Sequence, residues 1–462
     1  MWTRRSNCPR AARCSKATDR WRFARSIRSN DGGLTANVPQ LVDHLFRREA
    51  GKMVAYLTKI FGLARLDLAE DVVQDTLCRA LESWSLHGLP DNPSAWLMRV
   101  ARNRAIDLVR RDRQFHILAP EFAHLLELRD DQRDDAPAFA AEIRDDELRM
   151  MFSCCHPDLT VEAQVTLILK TLCGFSVSEI AQAFLATEES IEKRLSRARN
   201  LFRRSGEFVE IGDAREVRAR LEAVYQAIYL LFNEGYHGSH PEHTVREDLC
   251  SEALRLMLLL SEHPEGGRPK TYALLALFFF QVARLPTRMQ DDGALIQLEM
   301  QDRSQWNAEL IATGFHYLDR SAAGNELSPY HVEAAIASLH CAAPTYEETD
   351  WSKIVDLYDT LFRLKPSPIV ALNRAIAVGK ARGPEAGLIE LERIPDAAAL
   401  DDYPFYPAAR GELLLLAGRP ADAARYFERA KALARSRSET QYFESKLGSV
   451  RVQAARAVPN HH

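Results

Sequence analysis

No run of about eighteen or more uncharged apolar residues occurs in this chain, so no transmembrane helix is expected. The longest apolar stretch, Tyr272–Phe280, is too short to span a bilayer. Cysteine occurs eight times but in no regular framework, which argues against a disulfide scaffold and for reduced thiols in the cytoplasm. Cys154-Cys155-His156 has no CxxC partner, and adjacent cysteines share a tetrahedral ion poorly; buried structural thiols and no metal are expected there. Nucleophile elbow, P-loop and Rossmann fingerprint are all missing, so the chain is not expected to be an enzyme or to need a cofactor. Excess positive charge is missing too: the 462 residues carry a formal net charge of −4. The length suggests roughly two to four domains, and at 46% hydrophobic residues the chain can bury large cores.

The informative property is where the charge lies. Met1–Asn30 holds nine Lys/Arg and one Asp without an apolar core segment, so it is not a secretory signal. Residues 1–37 are read as a disordered basic tail. Trp96–Arg113 carries six arginines against two aspartates, and Glu188–Arg204 carries six basic against three acidic residues. Between them, Arg129–Glu147 holds eight acids and three arginines. Two basic modules are thus joined by an acidic linker, 115–146, which avoids DNA and suits a basic channel of a partner; the alternative is a solvated spacer.

Gly174–Arg204 reads as two short helices joined by a tight turn. Ser176 and Glu179 form a capping box, and Ile180, Ala181 and Phe184 make an inward stripe. Thr187 is a good N-cap for a second helix with Ile191, Leu195 and Ala198 inward. Lys193, Arg194, Arg197 and Arg199 are left on or near the outward side, where phosphates and base edges would lie. An ordinary helical hairpin with a solvated charged face is the rival reading.

An earlier module starts near Val38, with helical periodicity over Pro39–Leu57. In Leu66–Trp84 the buried stripe is Ala69, Val72, Val73, Thr76, Leu77 and Ala80; Glu70, Asp71, Gln74 and Asp75 form an acidic face. After the loop HGLPDNP a third helix places Leu97, Val100, Ala101, Ile106 and Val109 inward and leaves Arg99, Arg102, Arg110 and Arg111 outward. Trp96, at its start, either stacks on an exposed base or anchors the core, and the two roles are compatible.

AEDVVQDTLCRALESW followed by PSAWLMRVARNRAIDLVRR resembles sigma region 2 of the extracytoplasmic-function (ECF) group of bacterial RNA polymerase sigma factors. The pair at 174–204 resembles sigma region 4, a helix-turn-helix. Order and separation agree, giving region 2 at 38–114 and region 4 at 147–206. The resemblance implies that Asp71, Gln74 and Asp75 dock on a coiled coil of the core polymerase. It places Trp96, Arg99, Arg102, Asn103, Arg110 and Arg111 on the minus-ten promoter element, with Asn103 beside a flipped-out base. Asn103 carries an amide that both donates and accepts, as base-edge readout requires. Ser190, Glu192, Lys193, Ser196, Arg197 and Arg199 fall on the minus-thirty-five side. Glu192 departs from the basic residue often found there; a carboxylate accepts from a cytosine amino group rather than binding phosphate.

Residues 207–462 read as helices with short Gly/Pro breaks, making the whole chain all-α. Gly411, Leu414, Gly418, Ala423, Phe427 and Ala430 reproduce the small/large spacing of a tetratricopeptide repeat, and 368–394 is a weaker version. FSCCHPDL, LLFNEGY, QDRSQWN, TDWSKIVDLYDTL and PSPIVALNRAIAV resemble the ECF subgroup with a long tetratricopeptide-like extension. In that subgroup the extension is thought to replace a separate anti-sigma factor, through a protein partner or an intramolecular contact. The expected partners are therefore core polymerase and promoter DNA, with no membrane. The rival function is a helix-turn-helix regulator with a solenoid sensor, which would lack the Asp71–Trp96 module. His237, His240 and His243 have zinc-like spacing without a third ligand type, so a solvated loop is the expectation. Asp302, Arg303 and Trp306 suggest a buried ion pair at a helix junction.

Overall fold

The structure is a computed structural model that describes residues 38–111, 145–205, 214–238, 245–290 and 294–457, with the side chains of 38–44, 48, 109–111, 205 and 452–457 outside that description. The basic tail and nearly all of the acidic linker therefore lie outside the described residues. Among those described, the chain forms eighteen helices and no strand, as the sequence implied. Backbone contacts divide it into Met1–Phe46 and Arg47–His462. Of the first unit, only the opening of α1 (Val38–Phe61) is described.

Helix α2 (Leu66–His87) follows a short turn, Leu63–Arg65, and buries Leu66, Ala69, Val72, Val73, Thr76, Ala80 and Trp84 along one face. It stops at Gly88, whose φ of 78° strains any residue with a Cβ. Asn92 Oδ1 accepts from the Ala95 N–H at 3.0 Å to cap α3 (Pro93–Arg111), which opens on a proline already set for a helix. The fully buried line of α3 is Leu97, Ala101 and Ala105. Val100 and Ile106, expected inward, are half-buried.

The second module is α4 (Asp146–Ser153), α5 (Val161–Thr171), α6 (Val177–Phe184) and α7 (Glu188–Ser205). Asp145 Oδ1 accepts from the Leu148 N–H, so the last acids of the expected linker open a helix. Almost every residue of α5 is buried, and it packs on α6, α7 and α8. Gly51 lets α1 pass its end: a Cβ there would lie 2.1 Å from the Leu172 carbonyl oxygen. Cys154, Cys155 and Cys173 are buried, and burial pushes all three thiols up, Cys155 to about 12.

The remaining helices are α8 (Ala214–Tyr236), α9 (Glu247–Glu262), α10 (Pro269–Val282), α11 (Ala308–Ser321), α12 (Pro329–Ala342), α13 (Trp351–Leu364), α14 (Pro368–Arg382), α15 (Pro384–Glu392), α16 (Phe405–Leu416), α17 (Pro420–Ala432) and α18 (Arg437–Ala457). Each packs on the next in sequence. Three apolar clusters run through α12–α18, and they are continuous because Phe362 touches the first two and Leu388 the last two. In the hairpin of α16 and α17, Gly411 faces the buried Phe427 ring: a Cβ would meet the ring at 3.0 Å.

One stretch between α10 and α11, with 3-10 turns at Leu298–Met300 and Arg303–Gln305, ties this stack together. Gln297 donates to Glu412 on α16 and to the Tyr442 hydroxyl on α18. Glu299 accepts from Lys380 on α14 at 3.1 Å. Arg303 donates to the His340 and Ala343 carbonyls at the end of α12, both at 2.7 Å. Asp302 instead accepts from Ser304 and Gln305, so the expected Asp302–Arg303 ion pair is not what fixes the junction. Trp306 is buried, donates to Thr287 and lies under the Arg303 guanidinium.

Candidate nucleic-acid interface

Helix α3 presents Arg99 and Asn103 to solvent, one turn apart, opposite its buried Leu97–Ala101–Ala105 line. Arg102 is half-buried, and the side chains of Arg110 and Arg111 lie outside the described residues. The Trp96 ring is half-buried and tilts against Trp84, with centroids 5.5 Å apart. Trp96 is thus a core anchor with an open edge.

On α2, Asp71 and Gln74 are exposed on one side. Asp75 is not free beside them: it forms an ion pair with Arg104 on α3 at 3.0 Å and lies 3.5 Å from Arg79. That pair links α2 to the arginine-rich helix, so Asp75 has a structural partner that its spacing did not reveal.

The turn between α6 and α7 is built as its residues dictate. Ser176 and Glu179 close the capping box in both directions, at 3.1 and 2.6 Å. Leu185 adopts a left-handed conformation with φ 49°, and Thr187 Oγ1 accepts from the Ser190 N–H at 3.3 Å. Ile191, Leu195, Ala198 and Phe202 are buried. Phe184, expected inward, is half-buried under the Arg194 guanidinium at 5.3 Å, which removes Arg194 from the outward group. Ser190 is half-buried; Glu192, Lys193, Ser196 and Arg197 are exposed. Lys193 pairs with Glu189 at 2.6 Å, a solvated contact that a phosphate can displace.

Arg199 does not join that face. It lies two residues beyond Arg197, about 200° around the helix, and bonds Glu70 of α2 at 2.8 and 3.1 Å. Arg203, one turn on, donates to Asp67 at 2.6 and 3.0 Å. Burial raises the Glu70 carboxyl above its usual range, against the pull of Arg199. These acids are 129 and 136 residues from their partners, and no local pattern marks them.

Glu179 has a second task as well. Its Oε1 accepts from Arg47 of α1 at 3.1 Å, and buried Arg246 approaches to 3.9 Å. Burial opposes its ionisation, but Arg47 and the Ser176 N–H together hold its carboxyl below the usual value. Nearby, Arg255 of α9 bonds Asp145 at 2.5 Å, Glu147 at 2.7 Å and Glu252. Glu147 is 7% exposed, and burial followed by repulsion from Glu252 raises its carboxyl well above normal. Of the suggested zinc-like histidines, His240 and His243 lie outside the described residues, and the His237 ring packs on Phe405 at 5.1 Å.

A family model described as sigma-70 region 2 matches residues 45–115. A second, described as a family of unknown function (DUF6596), matches 220–322. An uncharacterized protein of Rhizobium meliloti is 41% identical over 393 residues, 84% of this chain and 92% of that protein. RNA polymerase sigma factor CnrH of Cupriavidus metallidurans is 30% identical over 156 residues, 32% of this chain and 78% of that protein. Fold and matches together define a multidomain all-α protein built on a sigma-70 region 2. The chain belongs to the RNA polymerase sigma factors.

Proposed function

We propose that this chain is an alternative sigma factor of the extracytoplasmic-function group that acts in the cytoplasm. It directs core polymerase to promoters through the minus-ten and minus-thirty-five elements. The observation that carries the reading is the side of α3 where Arg99 and Asn103 stand free in solvent beside the Trp96–Trp84 pair. A guanidinium for phosphate, an amide for a base edge and a ring edge for stacking meet on one rigid helix. Flipping a base costs a few kcal/mol, which such contacts must offset.

Asp71 and Gln74 then form the polymerase-docking side of α2, with Asp75 bracing it through Arg104. The α6–α7 pair acts as a helix-turn-helix, with Ser190, Lys193, Ser196 and Arg197 toward the minus-thirty-five groove and Glu192 at its edge. Helices α8–α18 form a tetratricopeptide-like stack that regulates the two readers and catalyses nothing itself; the chain needs no cofactor. Run-off transcription with purified core polymerase over a promoter library tests this. Promoter-dependent transcript is expected. A footprint without polymerase and no transcript with it would instead favour a sigma-independent regulator.

A further inference from the structure

Buried arginines ordinarily meet a carboxylate or a set of carbonyl oxygens. Arg284, just past the end of α10, is 8% exposed and has neither. Its Nε is buried without a hydrogen-bond partner, and its side chain forms no ion pair among the described residues. The guanidinium lies over the Trp306 ring instead, 5.3 Å from the centroid. Arg303 lies over the same ring at 4.9 Å. Two positive charges thus share one indole, and burial followed by repulsion from Arg284 lowers the pKa of Arg303. His340, in the last turn of α12, adds an Nδ1 that is buried and unpartnered.

Among the described residues no counter-ion stands beside them. Cys341 is half-buried, and burial pushes its thiol up to about 11 against the pull of both arginines, so it stays protonated. Burial first, then Arg284 and Arg303, pull the His340 imidazole down to about 3, so it is neutral near pH 7. Asp302 is turned to Ser304 and Gln305. Glu347 acts on Arg303 from the exposed loop after α12 but forms no ion pair among the described residues. The C-terminal ends of α10 and α12 supply about half a negative charge each, and Arg303 does bond the carbonyls of α12. Roughly one positive charge is left without compensation. A surplus of buried charge of one sign is strongly destabilising unless a group of opposite sign binds.

We propose that Arg284, Arg303 and His340 form a binding site for a phosphate group, either free inorganic phosphate or a small phosphate monoester. The Arg284 side chain has its N–H donors unused, in the planar fork that matches phosphate oxygens. Arg303 spends Nη1 and Nη2 on the His340 and Ala343 carbonyls and on Thr349, and keeps Nε. His340 offers Nδ1–H in the tautomer that the ligand selects. Three separate donors suit the three terminal oxygens of a phosphate group, which carries about 1.5 to 2 negative charges near pH 7. The way in is the end of α12, where Ala342 is exposed and His340, Cys341 and Arg303 are half-buried. Once bound, phosphate ties the ends of α10 and α12 to the brace that reaches α14, α16 and α18. The site belongs to the stack and stands whether or not the chain directs polymerase.

Isothermal titration calorimetry of the full-length protein tests this with inorganic phosphate, glycerol 3-phosphate and acetate, chloride holding the ionic strength constant. Saturable binding of phosphate or the monoester is expected, and whichever binds more tightly identifies the source. Arg284→Met should weaken it about tenfold or more, as the loss of charge-assisted bonds implies. Arg363→Gln removes an exposed charge from α13 and should change affinity less than about twofold. Without phosphate, Arg284→Met should melt no lower than wild type, since it removes a buried charge that has no partner. Phosphate should raise the melting temperature of the wild type more than that of the variant. If Arg284→Met does not fold, His340→Phe keeps a ring against Trp351 and should weaken binding about threefold or more. No saturable binding of either phosphate compound, acetate binding as tightly as phosphate, or unchanged affinity in these variants overturns the proposal. Unchanged affinity together with a lower melting temperature in Arg284→Met, with and without phosphate, would assign Arg284 to bracing Trp306 instead.

Discussion

At the scale of single residues, position on a helix separates reading from bracing. Asn103 is exposed, so Asn103→Ala should leave the fold and polymerase binding unchanged. It should weaken open-complex formation about tenfold or more, the size of one lost base-edge contact of roughly 1–3 kcal/mol. Permanganate reactivity of the opened strand measures it; an equal loss of polymerase binding would assign Asn103 elsewhere. Helical period put Arg99 and Arg197 on the solvent side, where the structure exposes them, whereas Asn103 came from the family resemblance alone and is exposed as well. The sequence pattern misplaced Arg199, whose partner Glu70 is remote in the chain. His237 shows the same limit. Burial and the nearby Arg288 and Arg435 pull its imidazole down to about 4, where spacing alone suggested a zinc ligand or a solvated loop. An unfolded histidine takes its proton near pH 6.5, so the folded chain loses stability as pH falls from about 6.5 toward 4. Thermal melts at about pH 7 and 5 should differ by up to about 2 kcal/mol for this group, and His237→Leu should shrink the difference. A pH dependence unchanged by that substitution would place the proton uptake elsewhere.

At the scale of elements, helix ends and hairpins were legible because their causes are local. The capping box of Ser176 and Glu179, the Thr187 cap and the close pass of Gly411 against Phe427 all follow from neighbours in sequence. Phe427 fills the α16–α17 hairpin completely, so Phe427→Ala should destabilise the chain by about 3–5 kcal/mol. Urea melts would check this, and a shift under about 1 kcal/mol would mean the hairpin is not a cooperative part of the stack. The stretch through Gln297, Glu299 and Arg303 was not legible as a brace. Its sequence shows polar residues without periodicity, and only the distant α12, α14, α16 and α18 give them partners.

At the scale of the whole molecule, the structure couples three modules through few charged groups. Arg255 is the sole guanidinium bonded to Asp145, Glu147 and Glu252 among the described contacts, and the three carboxylates raise its pKa despite burial. Arg255→Ala would leave those acids mutually repelling, one of them nearly buried, at a cost of about 3–5 kcal/mol. That cost should be smaller at about pH 5 than at pH 8, because the raised Glu147 carboxyl binds a proton more readily in the folded state. Denaturant midpoints at the two pH values measure it, and a loss that does not depend on pH would contradict the assignment. The sequence by itself determined the helical class, the two basic modules, the caps and the exposure of Arg99 on α3 and of Lys193 and Arg197 on α7, since each depends on spacing within a few turns. Tertiary structure alone decided that α2 holds the end of α7, that Asp75 braces Arg104 and that α9 grips α4. Ion pairs between different helices depend on how those helices dock, several of them joining residues more than a hundred positions apart, and helical period carries no information about that.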